Sequence, residues 1–296
     1  LLPIFEKTDA ETIIDEAAPI LPAGDLQTLQ FRVNDIDRRL TALKSYADGE
    51  DVLSDMLRLA DDLNMLEEGR NPFEGRVGPY RRAFLAEQDG SLQPYSVRLP
   101  DDFNPDKSYP ALVFLHGSGS DEQGLLDMPR SNGQFIEIAP FGRDLYYAYS
   151  KSESQIDIVE ALEAASDRFP IDRDKVIIGG FSMGGYGALR SFYENPELYK
   201  GVAVFAGHPD LANEWRFGLY PNFLKQKRLR DFESIPVFLY HGKEDAALPF
   251  ELAEALSEAL QIAGADVTYS WSETNGHVYQ DEETQARYEA LLTQFE

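Results

Sequence analysis

Over the first seventy residues the apolar positions recur three and four apart. From Leu26 they fall at Leu29, Val33, Ile36, Leu40, Leu43 and Ala47, the spacing of an a/d helical seam. Asp25 stands where an N-cap belongs, and Asp48-Gly49 reads as a turn. Val52, Met56, Leu59, Leu63 and Leu66 continue the seam until Gly69, which suits a C-cap. The pattern predicts an antiparallel helical hairpin. It either packs on the main domain or serves as a dimerisation or lid element, because a narrow seam leaves little apolar face after self-pairing.

After Asn71-Pro72 the period changes. Tyr80 to Ala86 and Leu92 to Leu99 alternate around Asp89-Gly90 and predict a hairpin. Ala111 to Leu115 is a continuous apolar run, as in a strand buried on both faces. Similar runs follow at Phe135–Ala139, Val176–Ile178, Val202–Phe205, Val237–Tyr240 and Val267–Trp271. Helical segments fall between most of them. Residues 153–168 place Ile156, Val159 and Leu162 together, with Ser152 and Gln155 as a capping box, and residues 250–263 end before Gly264. Alternating strands and helices with buried strands predict an α/β layered sheet, mostly parallel with an antiparallel start. The expected division is a helical region at residues 1–79 and a larger domain at 80–296.

Composition narrows the chemistry. Zero Cys excludes disulfides, a thiolate nucleophile and Cys-built metal sites. With 52 Asp+Glu against 27 Lys+Arg, the net charge of −25 argues against nucleic-acid and polybasic membrane partners. A Lys-poor acidic surface (9 Lys, 18 Arg) fits either ordinary solubility or a salt-exposed habitat. No apolar run approaches the roughly 18 residues of a membrane span, and Leu1-Leu2-Pro3-Ile4-Phe5 is too short for a signal-peptide core. A soluble protein is expected. Its compartment is left open, with the cytoplasm slightly ahead of secretion.

The sharpest motif is Gly180-Phe181-Ser182-Met183-Gly184-Gly185, between the Val176–Ile178 strand and a helix beginning near Met183. A serine between glycines at a strand-to-helix turn sits on a tight elbow, its Oγ exposed at a helix N-terminus that favours developing negative charge. Such a nucleophile needs a base and an orienting acid, following it in the order acid then His. Asp245 lies in the loop after the Val237 strand, with Glu244 as its competitor, and His277 lies in the loop after the last strand. The other histidines, His116, His208 and His241, come too early in that order and suit loop bracing or substrate lining. No His-x-His or His-x-x-x-His pair supports zinc, so no metal and no cofactor are expected. Oxyanion donors are expected from Met183 N–H and from Ser118 or Gly117 N–H in the His116-Gly117-Ser118-Gly119 loop.

These residues, with Tyr109-Pro110, Ile171-Asp172-Arg173-Asp174-Lys175-Val176 and His241-Gly242 before Asp245 and Pro249, resemble the α/β-hydrolase superfamily over about residues 92–280. More narrowly, they resemble the esterase group that includes phospholipase/carboxylesterases, feruloyl esterases and polyhydroxybutyrate-depolymerase-like proteins. The resemblance implies a mostly parallel central sheet with helices on both faces, preceded here by the helical hairpin. It also implies hydrolysis of a small-molecule ester through an acyl-enzyme on Ser182. A prolyl-oligopeptidase-like peptidase, an acyltransferase and a non-catalytic hydrolase-fold binding module are the alternatives. Aromatics in the loops after two strands, Trp215, Phe217 and Tyr147 above all, are candidates for substrate binding, or else they pack their own loops. Arg143, Lys225, Lys227, Arg228 and Arg230 are local basic spots that could favour an anionic substrate.

Overall fold

The computed structural model describes residues 6–43, 46–146, 149–215, 219–280 and 282–296. Its contacts divide the chain into two units. One comprises Leu1–Val77 with Arg81–Pro94, and the other Gly78–Tyr80 with Tyr95–Glu296. The division groups most of the first hairpin with the helices, whereas the sequence boundary falls ahead of it.

In the first unit three helices pack together: α1 (Lys7–Ala17), α2 (Ala23–Thr41) and α3 (Tyr46–Glu67). Ile14 on α1, Leu29, Val33 and Ile36 on α2, and Leu59 and Leu66 on α3 are buried. The seam is therefore real, but three expectations around it fail. An additional helix, α1, packs against both partners of the hairpin. Asp25 is no cap: it lies inside α2, fully buried, with Arg82 Nη2 donating to one carboxylate oxygen at 2.8 Å and Asn71 Nδ2 to the other at 2.8 Å. Asp48-Gly49 is no turn either, since α3 runs through it. At the other end Gly69 adopts φ +75° just past α3, and Arg70 N–H returns to Met65 O, closing that helix as predicted.

The strands are β1 (Tyr80–Leu85), β2 (Leu92–Arg98), β3 (Tyr109–Leu115), β4 (Ile136–Pro140), β5 (Ile171–Phe181), β6 (Gly201–Phe205), β7 (Pro236–Gly242) and β8 (Asp266–Ser272). Their order in the sheet is β1-β2-β4-β3-β5-β6-β7-β8. β2 meets β4 antiparallel, and every pair from β4 to β8 is parallel. The helices of this part are α4 (Gly124–Asp127), α5 (Ser152–Arg168), α6 (Met183–Glu194), α7 (Leu211–Trp215), α8 (Phe250–Ile262) and α9 (Glu282–Leu292). Alternation along the strands separates two faces. Phe114, Phe205 and Phe238 pack with Tyr288, Leu291 and Leu292 of α9. Their neighbours Leu115 and Val204 meet α6, at Gly187 and Gly185.

The capping box predicted for α5 does not form. Lys151 occupies the N-cap position without a side-chain cap bond, and Gln155 instead donates to Tyr149 O and accepts from Ser191 Oγ. The buried stripe of α5 accordingly runs through Ile158, Ala161 and Leu162, and Ile156 is exposed. Among the described residues no helix is long and apolar enough to cross a membrane.

Candidate active site

Six parallel strands aim their C-terminal ends at one edge of the sheet, where ligands of open α/β folds collect. Ser182 follows β5 directly. Its backbone adopts φ 55° and ψ −115°, a conformation that costs a non-glycine residue about 1–3 kcal/mol. The neighbours explain why glycines stand two positions to either side of it: a Cβ on Gly184 would lie 2.0 Å from Leu115 O, and one on Gly180 2.2 Å from Gly184 O. The turn is locked by Ser182 N–H donating to Phe205 O at 2.8 Å. Although Ser182 holds the N-cap position of α6, its hydroxyl makes no capping bond and is left for other work.

That work is visible in the next contact. Ser182 O–H donates to His277 Nε2 at 2.9 Å, and His277 Nδ1–H donates to Asp245 Oδ2 at 2.7 Å. The tautomer follows from the acceptor, because an ionised carboxylate can only accept. The two loops meet so closely because β7 ends in Gly242, where a Cβ would lie 2.1 Å from Asn275 O. Glu244 N–H donates to Asn275 O, and Asn275 Nδ2 to the Tyr240 hydroxyl, fastening the His277 loop to β7.

Asp245 is buried, which by itself raises a carboxyl pKa. The hydrogen bond from His277 and those from Leu248 and Ala247 N–H outweigh that burial and hold it below its ordinary range. Glu244, its competitor, is exposed. His241 Nε2 lies 3.3 Å from Asp245 Oδ2 and donates to Leu248 O at 2.9 Å. Burial lowers the His241 pKa, so the ring remains neutral beside the acid.

Across the strand end, the ring nitrogens of buried His116 lie 2.9 Å from Gly117 O and 2.8 Å from Phe141 O. Its backbone N–H donates to the Tyr149 hydroxyl at 3.1 Å. Among the described residues the N–H groups of Gly117, Ser118 and Met183 are taken by no acceptor. A cavity of about 250 Å³ opens here, lined by His116, Gly117, Ser118, Phe181 and Tyr279 among others. A strained serine, a histidine bonded to it, a carboxylate behind the histidine and unspent N–H donors nearby make up the equipment for acyl transfer.

Similarity to known proteins agrees with this geometry. A family described as Phospholipase/Carboxylesterase matches residues 150–293, which hold all three bonded side chains. Over that segment, just under half of its length, the chain is similar to this family. It is 23% identical to MhqD of Bacillus subtilis over 192 residues, 60% of this chain and 90% of that one. Over 255 residues it is 22% identical to the human prolyl endopeptidase FAP, covering 74% of this chain but only 34% of that one. The fluorophosphonate-binding serine hydrolase FphF of Staphylococcus aureus shares the fold, with TM-score 0.58 and 18% identity over 74% of this chain and 98% of that one.

The substrate residues expected from the sequence fare differently. Tyr147 and Phe217 lie outside the described residues. Trp215, at the end of α7, is 41% exposed and does not line the cavity. Tyr149, one of the loop aromatics, is wholly buried and braces the loop from beneath. Arg143 is spent on a bidentate pair with Asp157, at 2.6 and 2.9 Å, and is no free basic spot. His208, also buried, accepts from Asp210 N–H and faces Glu214. Phe181 and Tyr279, unmarked by the sequence patterns, do line the cavity. Phe181 adjoins Ser182 and Tyr279 lies two residues past His277, which was the available signal.

Proposed function

We propose that Ser182, His277 and Asp245 act as nucleophile, base and orienting acid in hydrolysing a small-molecule carboxylic ester, with residues 80–296 as the catalytic domain. The observation that carries this is the continuous hydrogen-bond chain from Ser182 Oγ through His277 to Asp245. As Oγ attacks the ester carbonyl, His277 Nε2 takes its proton, and Asp245 stabilises the imidazolium. Met183 N–H and a Ser118 or Gly117 N–H receive the oxyanion. Collapse expels the alcohol, protonated by His277, and leaves an acyl group on Ser182. Water then gives a proton to His277 and attacks the acyl-enzyme, and the acid is released as His277 returns that proton to Ser182 Oγ.

The wild-type protein is expected to cleave short p-nitrophenyl esters and to take one fluorophosphonate at Ser182. Ser182→Ala should lose roughly a thousandfold or more of the ester activity. Labelling at another residue, or full activity in Ser182→Ala, would overturn the assignment. The likeness to prolyl endopeptidase FAP supports one second reading, peptide-bond cleavage by the same acyl-enzyme, which faster turnover of a prolyl p-nitroanilide than of any ester would select. The net charge of −25 supports a reading without a nucleic-acid partner.

A further inference from the structure

The cavity beside Gly117 and Ser118 contains a group that ester hydrolysis does not require. Much of its wall is apolar, from Phe114, Leu125, Phe181 and Tyr279, yet Arg130 also lines it. The guanidinium lies over two of those rings, 5.2 Å from the Phe114 centroid and 4.8 Å from the Tyr279 centroid. Its Nη2 donates to Gly124 O at 3.2 Å, and its main chain is tied to Glu137 and to the Tyr279 hydroxyl. The side chain is thus positioned from several directions. Among the described residues no carboxylate forms an ion pair with it, whereas Arg32, Arg82, Arg143 and Arg190 each have one.

Two acids stand nearby, and both are engaged. Asp121 lines the same cavity, but its oxygens accept from the Gln123 N–H and Nε2. Glu137 accepts from the backbone N–H groups of Arg130 and Ser131. A half-buried guanidinium stacked on aromatic rings keeps most of its N–H donors unspent. Its planar fork matches a carboxylate, and the apolar walls exclude the water that would weaken such a pair.

Resting on the ester-hydrolase reading, we propose that Arg130 is a specificity residue that binds a carboxylate carried on one arm of the ester substrate. The chain's long-range field repels anions, so the preference arises at short range, inside the cavity. Two substrate pairs test it and tell the arms apart. Mono-p-nitrophenyl adipate against p-nitrophenyl hexanoate probes the acyl arm, and 4-carboxyphenyl butyrate against 4-carbamoylphenyl butyrate probes the alcohol arm.

The readout is the ratio of kcat/KM, charged over neutral, taken within each variant so that any general loss cancels. In one pair the wild-type ratio should exceed that of Arg130→Gln by roughly 10- to 100-fold, the worth of a hydrogen bond to a charged group. Arg130→Lys, which keeps the charge without the fork, should retain part of the difference. Should Arg130→Gln fail to fold, the wild type itself decides, because free adipate should inhibit competitively where adipamide does not. Equal ratios in wild type and Arg130→Gln for both pairs, or equal inhibition by adipate and adipamide, would overturn the proposal. Neutral-ester turnover with unmoved ratios removes Arg130 alone; no turnover of any ester removes the hydrolase reading with it.

Discussion

The backbone N–H of His116 finds its acceptor 3.1 Å away in the hydroxyl of Tyr149. Tyr149 is itself held in an unusual backbone state, φ 66°, with its carbonyl accepting from Gln155 Nε2 and Arg190 Nη1. Its ring packs where a side chain at Gly187 would otherwise stand. One buried phenol therefore sets the height of the strand end from which the Gly117 and Ser118 donors hang. Tyr149→Phe keeps the ring and removes the acceptor, leaving a buried N–H unpaired at a cost of about 1–3 kcal/mol. The expected outcome is a kcat roughly tenfold lower, with fluorophosphonate still labelling Ser182 to completion but more slowly. Unchanged kcat and an unchanged labelling rate would show that the loop keeps its place without the phenol. Ser182, Asp245 and His277 were readable because each carries a local signature: an elbow of glycines, or a loop position after a strand. The role of Tyr149 was not, because its partner stands thirty-three residues earlier, and no periodicity reports a contact of that kind.

Helices show the same division between local and distant causes. α1 escaped the periodicity because its buried face is built on Ala10, Ile14 and Ala17, and alanine marks an apolar stripe weakly. Asp25 resembled a cap because acids at helix starts usually are caps, but Arg82 and Asn71, far along the chain, draw it inward. Gly49 resembled a turn residue, yet it lies within α3, and a Cβ added there would meet nothing within 4 Å. Glycine in such a place costs helix stability without serving a packing need. Gly49→Ala should therefore stabilise the chain by about 0.5–1 kcal/mol. Gly184→Ala is the opposite case, with no room for the methyl beside Leu115 O, and should destabilise by about 3 kcal/mol or more. Urea denaturation of both variants checks the pair. A Gly49→Ala midpoint below wild type would show that the residue shapes the chain other than as a plain helix position.

At the scale of the whole molecule, charge has to be divided into paired and unpaired parts before it predicts anything. In the helical unit many acids are paired: Asp62 with Arg32 and Arg76, Asp35 with Arg81, Asp55 with Arg39, and Asp25 with Arg82. Most of these side chains are largely buried, and buried pairs feel dissolved salt least. The excess of 25 negative charges remains after pairing and acts through solvent over distances that salt shortens from about 30 Å at 0.01 M to about 3 Å at 1 M. Salt should thus remove self-repulsion while leaving the buried pairs nearly intact. The thermal midpoint is expected to rise between about 0.01 M and 1 M sodium chloride, as read by scanning calorimetry at neutral pH. A falling midpoint would mean that exposed pairs such as Lys7–Asp37 and Lys243–Glu273 outweigh the net charge. That outcome is disfavoured on magnitude, since exposed pairs contribute about 0–1 kcal/mol each, and repulsion among a surplus this large accumulates over every remaining acid.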